Sequence, residues 1–373
     1  MDALTTPSNW QKVRLGDIGK PCMCKRVMKH QTTRYGEIPF YKIGTFGNTA
    51  DAFISKKLFL EYKTKYSFPK KGDILISASG TIGRAVIYDG KPAYFQDSNI
   101  VWIDNDETLV KNDFLFYVYS HVKWNTEHTT ILRLYNDNFR NTLIPLPPLN
   151  EQIAIANILS ALDRYLCALD ALILKKEGVK KALSFELLSQ RKRLKGFNQA
   201  WQRVRLGDIA NYLTSNLSVE QITQQGKIKV YDVNNFIGYT DIAFISDKPY
   251  ISIVKDGSVG RVRILPPKTN ILSTMGALIA NHKITTEFLF YLLSNFDFKN
   301  FTSGSIIPHI YFKDYKEKTI FLPPLNEQIA IANILSALDH EIISLKNKKR
   351  QFENIKKALN HDLMSAKIRV LNK

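Results

Sequence analysis

Cysteine is nearly missing from this sequence: Cys22, Cys24 and Cys167 stand among 373 residues, an odd set that offers neither a disulfide framework nor a C-x2-C zinc spacing. Long apolar runs are missing too. No stretch reaches the roughly 18 residues of a membrane span, and the opening MDALTTPSNWQKVRLGD has no signal-peptide core, so the sequence predicts a cytoplasmic chain without membrane attachment. The familiar catalytic signatures H-E-x-x-H, G-x4-G-K-[ST], G-x-S-x-G, the dinucleotide glycine fingerprint and Asn-Pro-Pro-aromatic do not occur. The seven histidines are scattered without ligand spacing. One acidic pattern, Asp51 followed by Glu61-Tyr62-Lys63, is too loose to mark the metal site of a nuclease.

Acid is the charge in short supply. Thirty-four Asp and Glu face 52 Lys and Arg, a net charge of +18, and such an excess predicts a polyanionic partner, nucleic acid first. The excess is spread as +6 over residues 1–145, +4 over 201–321, and +4 over each of 146–200 and 322–373. A single basic tail is thereby excluded, and every part of the chain can meet phosphates along one duplex.

What is present is a duplication. LPPLNEQIAIANILSALD, eighteen residues from Leu146 to Asp163, recurs unchanged from Leu322 to Asp339, and WQKVRLGDI from Trp10 returns as WQRVRLGDI from Trp201. Weaker pairs keep the same order: GEIPFY at Gly36 with GKIKVY at Gly226, SGTIGRAVI at Ser79 with DGSVGRVRI at Asp256, and FLFYVYS at Phe114 with FLFYLLS at Phe288. The halves share one fold while the segments between anchors diverge, which suits two copies doing one job on two targets; drift after duplication reads the same way.

Short runs such as IPFYKIG, DILISAS, RAVIYD and IVWID, broken by Gly, Pro and Asp, predict compact α/β domains of mainly antiparallel strands, with one helix at FLFYVYSHVKW. Leu-Pro-Pro-Leu-Asn-Glu-Gln ends each domain, and Asn150 or Asn326 is placed to cap the helix that follows. Apolar residues then step by four and three through Ile155, Leu159, Leu162, Leu166, Leu169 and Ile173, and again from Ile331 to Leu345, which predicts two coiled-coil helices of about 45 residues. Lys176, Lys180, Lys349 and Lys356 fall in that seam and predict a loosened middle.

The best local candidate for function is the repeated Gly-x-x-Gly-Arg turn: Ser79, Gly80, Thr81, Gly83 and Arg84, with Gly257, Ser258, Gly260 and Arg261. Glycines let backbone approach phosphate and arginine adds charge. A plain hairpin turn explains the same residues. Lys42 and Asn48, and in the second half Asn234 and Asn235, are further DNA-binding candidates. Gln152 and Asn157, with Gln328 and Asn333, are candidate docking residues for partner proteins, because the identity of the two copies extends beyond the seam to positions taken to be exposed.

Trp-x4-Leu-Gly-Asp-Ile, then a Gly-x-x-Gly turn, then Leu-Pro-Pro-Leu-x-Glu-Gln heading a heptad helix, all repeated once, resembles the specificity subunits of type I restriction-modification systems over the whole chain. The resemblance implies an α+β protein: target recognition domains at 1–145 and 201–321, separated by two long antiparallel coiled-coil spacer helices at 146–200 and 322–373, in a pseudo-two-fold tandem repeat. It implies a non-catalytic chain that reads a bipartite, asymmetric site in double-stranded DNA. It implies two methylating subunits and the restriction subunits as partners, with S-adenosylmethionine, ATP and Mg2+ carried by those partners and no cofactor here. The alternatives are a nuclease or methyltransferase-associated reader with its own activity, and a coiled-coil adaptor that binds only proteins. One departure from the internal repeat is Lys248-Pro249-Tyr250-Ile251-Ser252, where the first half has Lys71-Gly72-Asp73-Ile74-Leu75.

Overall fold

A computed structural model describes residues 10–125, 127–128 and 132–371. The chain divides into two units, one running to Leu169 and taking up again at Lys348, the other spanning Asp170–Asn347. Each unit therefore holds one domain and a part of both long helices.

The two units follow one plan. In the first, Gln11–Arg14 pairs antiparallel with Leu143–Leu146, so the domain's two ends meet where the chain passes into the helix. A four-stranded antiparallel sheet has the order Gly19–Met23, Ile100–Asn105, Ile74–Ser77, Ala85–Ile87. In the second unit Gln202–Arg205 pairs with Thr319–Leu322, and the four strands are Ala210–Thr214, Met275–Ala280, Tyr250–Val254, Val262–Leu265. Each unit adds a three-stranded sheet centred on Ile38–Tyr41 or Ile228–Tyr231. Those central strands each make one parallel pairing, with Tyr94–Phe95 or Thr269–Ile271, in a fold otherwise antiparallel as expected. A long excursion separates each parallel pair, and that is what lets the chain return in the same direction.

Strand periodicity divides the core. Ile74 and Ile76 face one buried cluster, with Phe114, Val118 and Ile155, while Leu75 between them faces another, with Phe40, Tyr94 and Trp102. Ile251 and Ile253 repeat this against Tyr250 and Val254. The divergent Lys248-Pro249-Tyr250 segment thus still leads into the same strand, which opens on the fully buried Tyr250. The expected helix is found at Asn112–His121, with its equivalent at Thr286–Ser294. A helix at Lys56–Lys65 was not foreseen and is absent from the second domain's described order of elements.

The long helices are Leu149–Leu188 and Leu325–Met364, each 40 residues and so about 60 Å, shorter than the seam predicted. The asparagines do not cap them. The carbonyl of Pro148 accepts from Glu151 N and Gln152 N, so each helix begins before the Asn, whose Oδ1 accepts from the next backbone N–H inside the first turn. Equivalent non-glycine residues in left-handed conformation, Gln190 (φ 61) and Ala366 (φ 55), follow the two helix ends.

Inside each unit the helices run antiparallel, since partners rise along one as they fall along the other: Glu151 meets Arg369 and Asp163 meets Lys356, while Glu327 meets Arg193 and Asp339 meets Lys180. Lys180 and Lys356 therefore pin the pair where loosening was expected, while Lys349 pairs with Glu353 along its own helix at 3.5 Å. Lys176 also bonds Glu341 at 2.8 Å, and Lys180 and Lys356 lie over the rings of Tyr291 and Tyr117. Those two tyrosines donate to Asp339 and Asp163, tying each domain's own helix to the long pair. Burial first, then the neighbouring carboxylate, keeps both hydroxyls protonated well above the usual phenol range. A second lock buries Glu151 between Trp10 Nε1 (3.1 Å) and the Arg369 guanidinium (2.8 and 3.0 Å), and Glu327 between Trp201 Nε1 (2.9 Å) and Arg193.

Candidate nucleic-acid interface

The glycine turns sit at one edge of each four-stranded sheet, between Ile74–Ser77 and Ala85–Ile87 and between Tyr250–Val254 and Val262–Leu265. Their glycines divide the work. Gly83 and Gly260 have positive φ (82° and 80°) and lie against an aromatic ring, where a Cβ would stand 2.1 Å from Trp124 Nε1 or 2.6 Å from Phe298 Cδ2. These are structural glycines. Gly80 and Gly257 also have positive φ, yet nothing lies within 3.5 Å of an added Cβ at either. They are exposed, as are Thr81 and Ser258, so the first glycine of each turn presents open backbone to an incoming group.

Each turn is fixed from behind. Gly83 N donates to Ser77 O and Gly260 N to Val254 O, both at 2.9 Å. Ser79 is buried, its hydroxyl donating to Asn99 Oδ1 at 2.8 Å. The arginines tie the turn sideways to a neighbouring loop. Arg84 Nη1 donates to Phe46 O at 2.9 Å, between the predicted Lys42 and Asn48, and Arg261 Nη2 donates to Asn234 Oδ1 at 2.7 Å. The structure thus brings the turn and loop candidates together in both domains. Lys42 pairs with Asp51 at 2.8 Å, Asn48 is exposed, and Asn234 and Asn235 donate their backbone N–H to Asp232 Oδ1. Asp51 and Glu61 are engaged by different lysines, Lys42 and Lys65. Among the described residues no group of three or more His, Cys, Asp or Glu could hold a metal ion.

Several residues here were not foreseen. In the first domain a cleft of about 470 Å3 is lined by Arg26, Lys29, Lys42, Gln96 and Asn99, and Asn99 joins it to the glycine turn. Arg26 pairs with Asp97, and Arg133 Nη2 donates to Ser98 O. In the second domain Arg263 donates to Asn234 O and lies over Tyr231, and a small hairpin, Thr302–Ser303 with His309–Ile310, packs beside the turn. His309 Nδ1 meets Asp256 Oδ1 at 2.7 Å, and Lys255 reaches the other oxygen at 3.2 Å. Partial burial pushes the Asp256 carboxyl up, but the bonds from His309 and Lys255 outweigh it and hold the group below the usual carboxylate range. A lone Arg26 or His309 carries no periodic or spacing signal, and only the sheet's closure places it at the turn.

The docking candidates divide. Gln152 and Gln328 are fully buried, against expectation. Gln152 Nε2 donates to Leu109 O and Pro147 O while its Oε1 accepts from Lys111 N; Gln328 does the same with Lys283 O, Pro323 O and Thr285 N. Every polar atom is spent inside the domain, because the helix start must satisfy the loop leading into the short helix. Asn157 and Asn333 are exposed on the long helices.

The sequence profile of the family described as type I restriction modification DNA specificity domain matches residues 7–176 and again 198–354. A Haemophilus influenzae chain assigned as a type I restriction enzyme specificity subunit is 62% identical over 152 residues, a match spanning 40% of each chain. The type I restriction enzyme MjaVIII specificity subunit of Methanocaldococcus jannaschii is 26% identical over 416 residues, spanning 100% of this chain and 96% of that one. The crystal structure of a type I restriction-modification S subunit from M. genitalium shares the fold at TM-score 0.66 and 20% identity, covering 98% of this chain and 99% of the other. With two specificity domains in tandem and the family's fold over nearly its whole length, the chain belongs to the type I restriction-modification specificity family.

Proposed function

We propose that this chain, a non-catalytic specificity subunit, reads a bipartite, asymmetric site in double-stranded DNA, one half-site per domain, and scaffolds two methylating subunits and the restriction subunits. The observation that carries this reading is the repeated turn with an open first glycine and a shared arginine, Arg84 or Arg261, that ties it to a neighbouring loop whose side chains differ: Lys42 and Asn48 in one domain, Asn234 and Asn235 in the other. A common backbone brings the duplex to the same place twice, and differing borders read different bases. S-adenosylmethionine, ATP and Mg2+ belong to the partner subunits. Asn157 and Asn333, exposed on identical helix starts, support two equivalent docking surfaces. The proposed place of action is the cytoplasm, and no described helix is long and apolar enough to cross a membrane.

Methylome sequencing of a host with and without the gene, followed by footprinting of the methylating complex, tests the reading. Two short base-specific tracts around an indifferent spacer are expected. One continuous tract overturns it.

A further inference from the structure

Both domains set a small hairpin beside the glycine turn, Glu127–His128 with Leu132–Arg133 in the first and Thr302–Ser303 with His309–Ile310 in the second, and the tip is described only in the second. Beyond the short pair Thr302↔Ile310 and Ser303↔His309, the chain turns through Gly304, Ser305, Ile306, Ile307 and Pro308. Ile306 is 92% exposed, the largest exposure of any large apolar residue described, and Ile307 is 55% exposed. The tip is a built feature. Gly304 has φ 91°, and a Cβ there would stand 2.2 Å from Ile307 O, so only glycine closes this loop.

The hairpin is also held rigidly beside the glycine turn. Gly257 N donates to Pro308 O and Ile310 N to Lys255 O, each at 2.9 Å, and His309 bonds Asp256. Its other arm rises from Phe298, whose carbonyl accepts from Thr302 Oγ1 at 2.9 Å and whose ring covers Gly260. The exposed isoleucines therefore project from the same edge as open Gly257 and exposed Ser258 and Arg261.

A partner protein is a poor match for this tip. Two isoleucines bordered by exposed Thr302, Ser303, Gly304 and Ser305 make no apolar patch of the several hundred Å2 typical of protein interfaces. A DNA groove matches it better. The major groove, about 12 Å wide, admits a two-stranded ribbon, and its one apolar mark is the thymine 5-methyl group. Exposed hydroxyls on the arms suit phosphates on either side.

We propose that this hairpin enters the major groove of the second half-site and that Ile306 reads a thymine there by contact with its 5-methyl. The inference rests on the reading that the glycine turn faces DNA. It is tested with the full chain in its methylating complex. Oligonucleotides carrying the established site are prepared with deoxyuridine in place of each thymine of the second half-site in turn. For the unaltered protein, one replacement weakens binding about four- to tenfold, the scale of one or two buried methyl contacts. Ile306→Ala loses a similar factor on the thymine site and shows no further loss with deoxyuridine at that position. Its melting temperature stays unchanged, because the side chain is exposed, and Ile306→Ser gives the same pattern. The inference is overturned by a half-site without thymine, by deoxyuridine that costs nothing at every position, or by equal deoxyuridine losses in Ile306→Ala and the unaltered protein. If Arg261→Ala weakens binding to all sequences while deoxyuridine is silent, the turn faces DNA and only the finger is wrong. If neither change matters, both readings fall together.

Discussion

The two domains share one backbone plan and differ at the edges proposed to face DNA. The first has a basic stretch from Lys25 to Arg34, with Lys25, Arg26, Lys29 and Arg34 and no acid before Glu37; the corresponding stretch from Asn211 to Gly226 in the second has no Lys or Arg and one acid, Glu220. The second has an Arg261–Asn234 side-chain bond, where Arg84 of the first grips only a backbone carbonyl, and a described hairpin tip that is apolar. The hairpin's counterpart in the first domain includes residues 129–131, which lie outside the described residues. What is common is held by backbone hydrogen bonds, glycine φ angles and buried locks, which leave surface side chains free to vary. On this reading the first domain grips through charge and the second through shape.

The comparison breaks most visibly if a shared lock is removed. Glu151→Ala leaves the Arg369 cation and the Trp10 N–H without a partner, and should cost about 3–5 kcal/mol of stability. Glu327→Ala should cost the second unit a similar amount, since Arg193 and Trp201 take the same places. Denaturant unfolding of both variants checks this, and unequal losses would show that the locks are not equivalent.

Next in size is the division between glycines. Gly260→Ala meets both a positive φ and the Phe298 ring, and should cost about 2–4 kcal/mol. Gly257→Ala meets only the φ and should cost about 1–2 kcal/mol. On the proposed reading, DNA affinity should reverse that order among molecules that remain folded, because only Gly257 presents open backbone. Melting curves paired with binding titrations separate the two effects.

The charge contrast is tested by salt. Replacing Lys25, Lys29 and Arg34 by Gln should lower the slope of log affinity against log salt by about two to three. Arg84→Ala or Arg261→Ala should lower it by about one and weaken all sequences alike. Loss of preference at a single base with an unchanged slope would make that arginine a base reader.

The smallest effect concerns pH. Because the folded-state pKa of Asp256 is depressed, its contribution to stability is present above the ordinary carboxylate value and is lost as pH falls through the lowered folded value. Asp256→Asn should therefore cost stability at neutral pH, and the gap to the unaltered protein should narrow as acid protonates the carboxyl. The first domain has Ser79 at the equivalent bridge, facing Arg133, so Ser79→Ala should show no such acid dependence. Unfolding free energies measured from neutral to acid pH decide between them.

The sequence by itself determined the duplication, the order of domain and helix, the strand-turn-strand around each Gly-x-x-Gly, and the apolar seam. All of these are local: a positive φ asks for glycine, a proline pair ends a strand, and a heptad needs only its own spacing. Tertiary structure alone decided the fate of the polar residues. Gln152 and Gln328 read as exposed because glutamine usually is, yet each spends two of its three bonds on a segment some forty residues away and the third on the proline carbonyl five residues before it. Lys176, Lys180 and Lys356 read as weak points because their carboxylate partners lie on the other helix, and nothing local announces Asp163 for Lys356 or Asp339 for Lys180. The Ile306 tip was illegible for the same reason. An isoleucine in sequence reads as core, and only the closed sheet, with Gly304 shaping the turn and Gly257 bonded to Pro308, shows that it is held out into solvent.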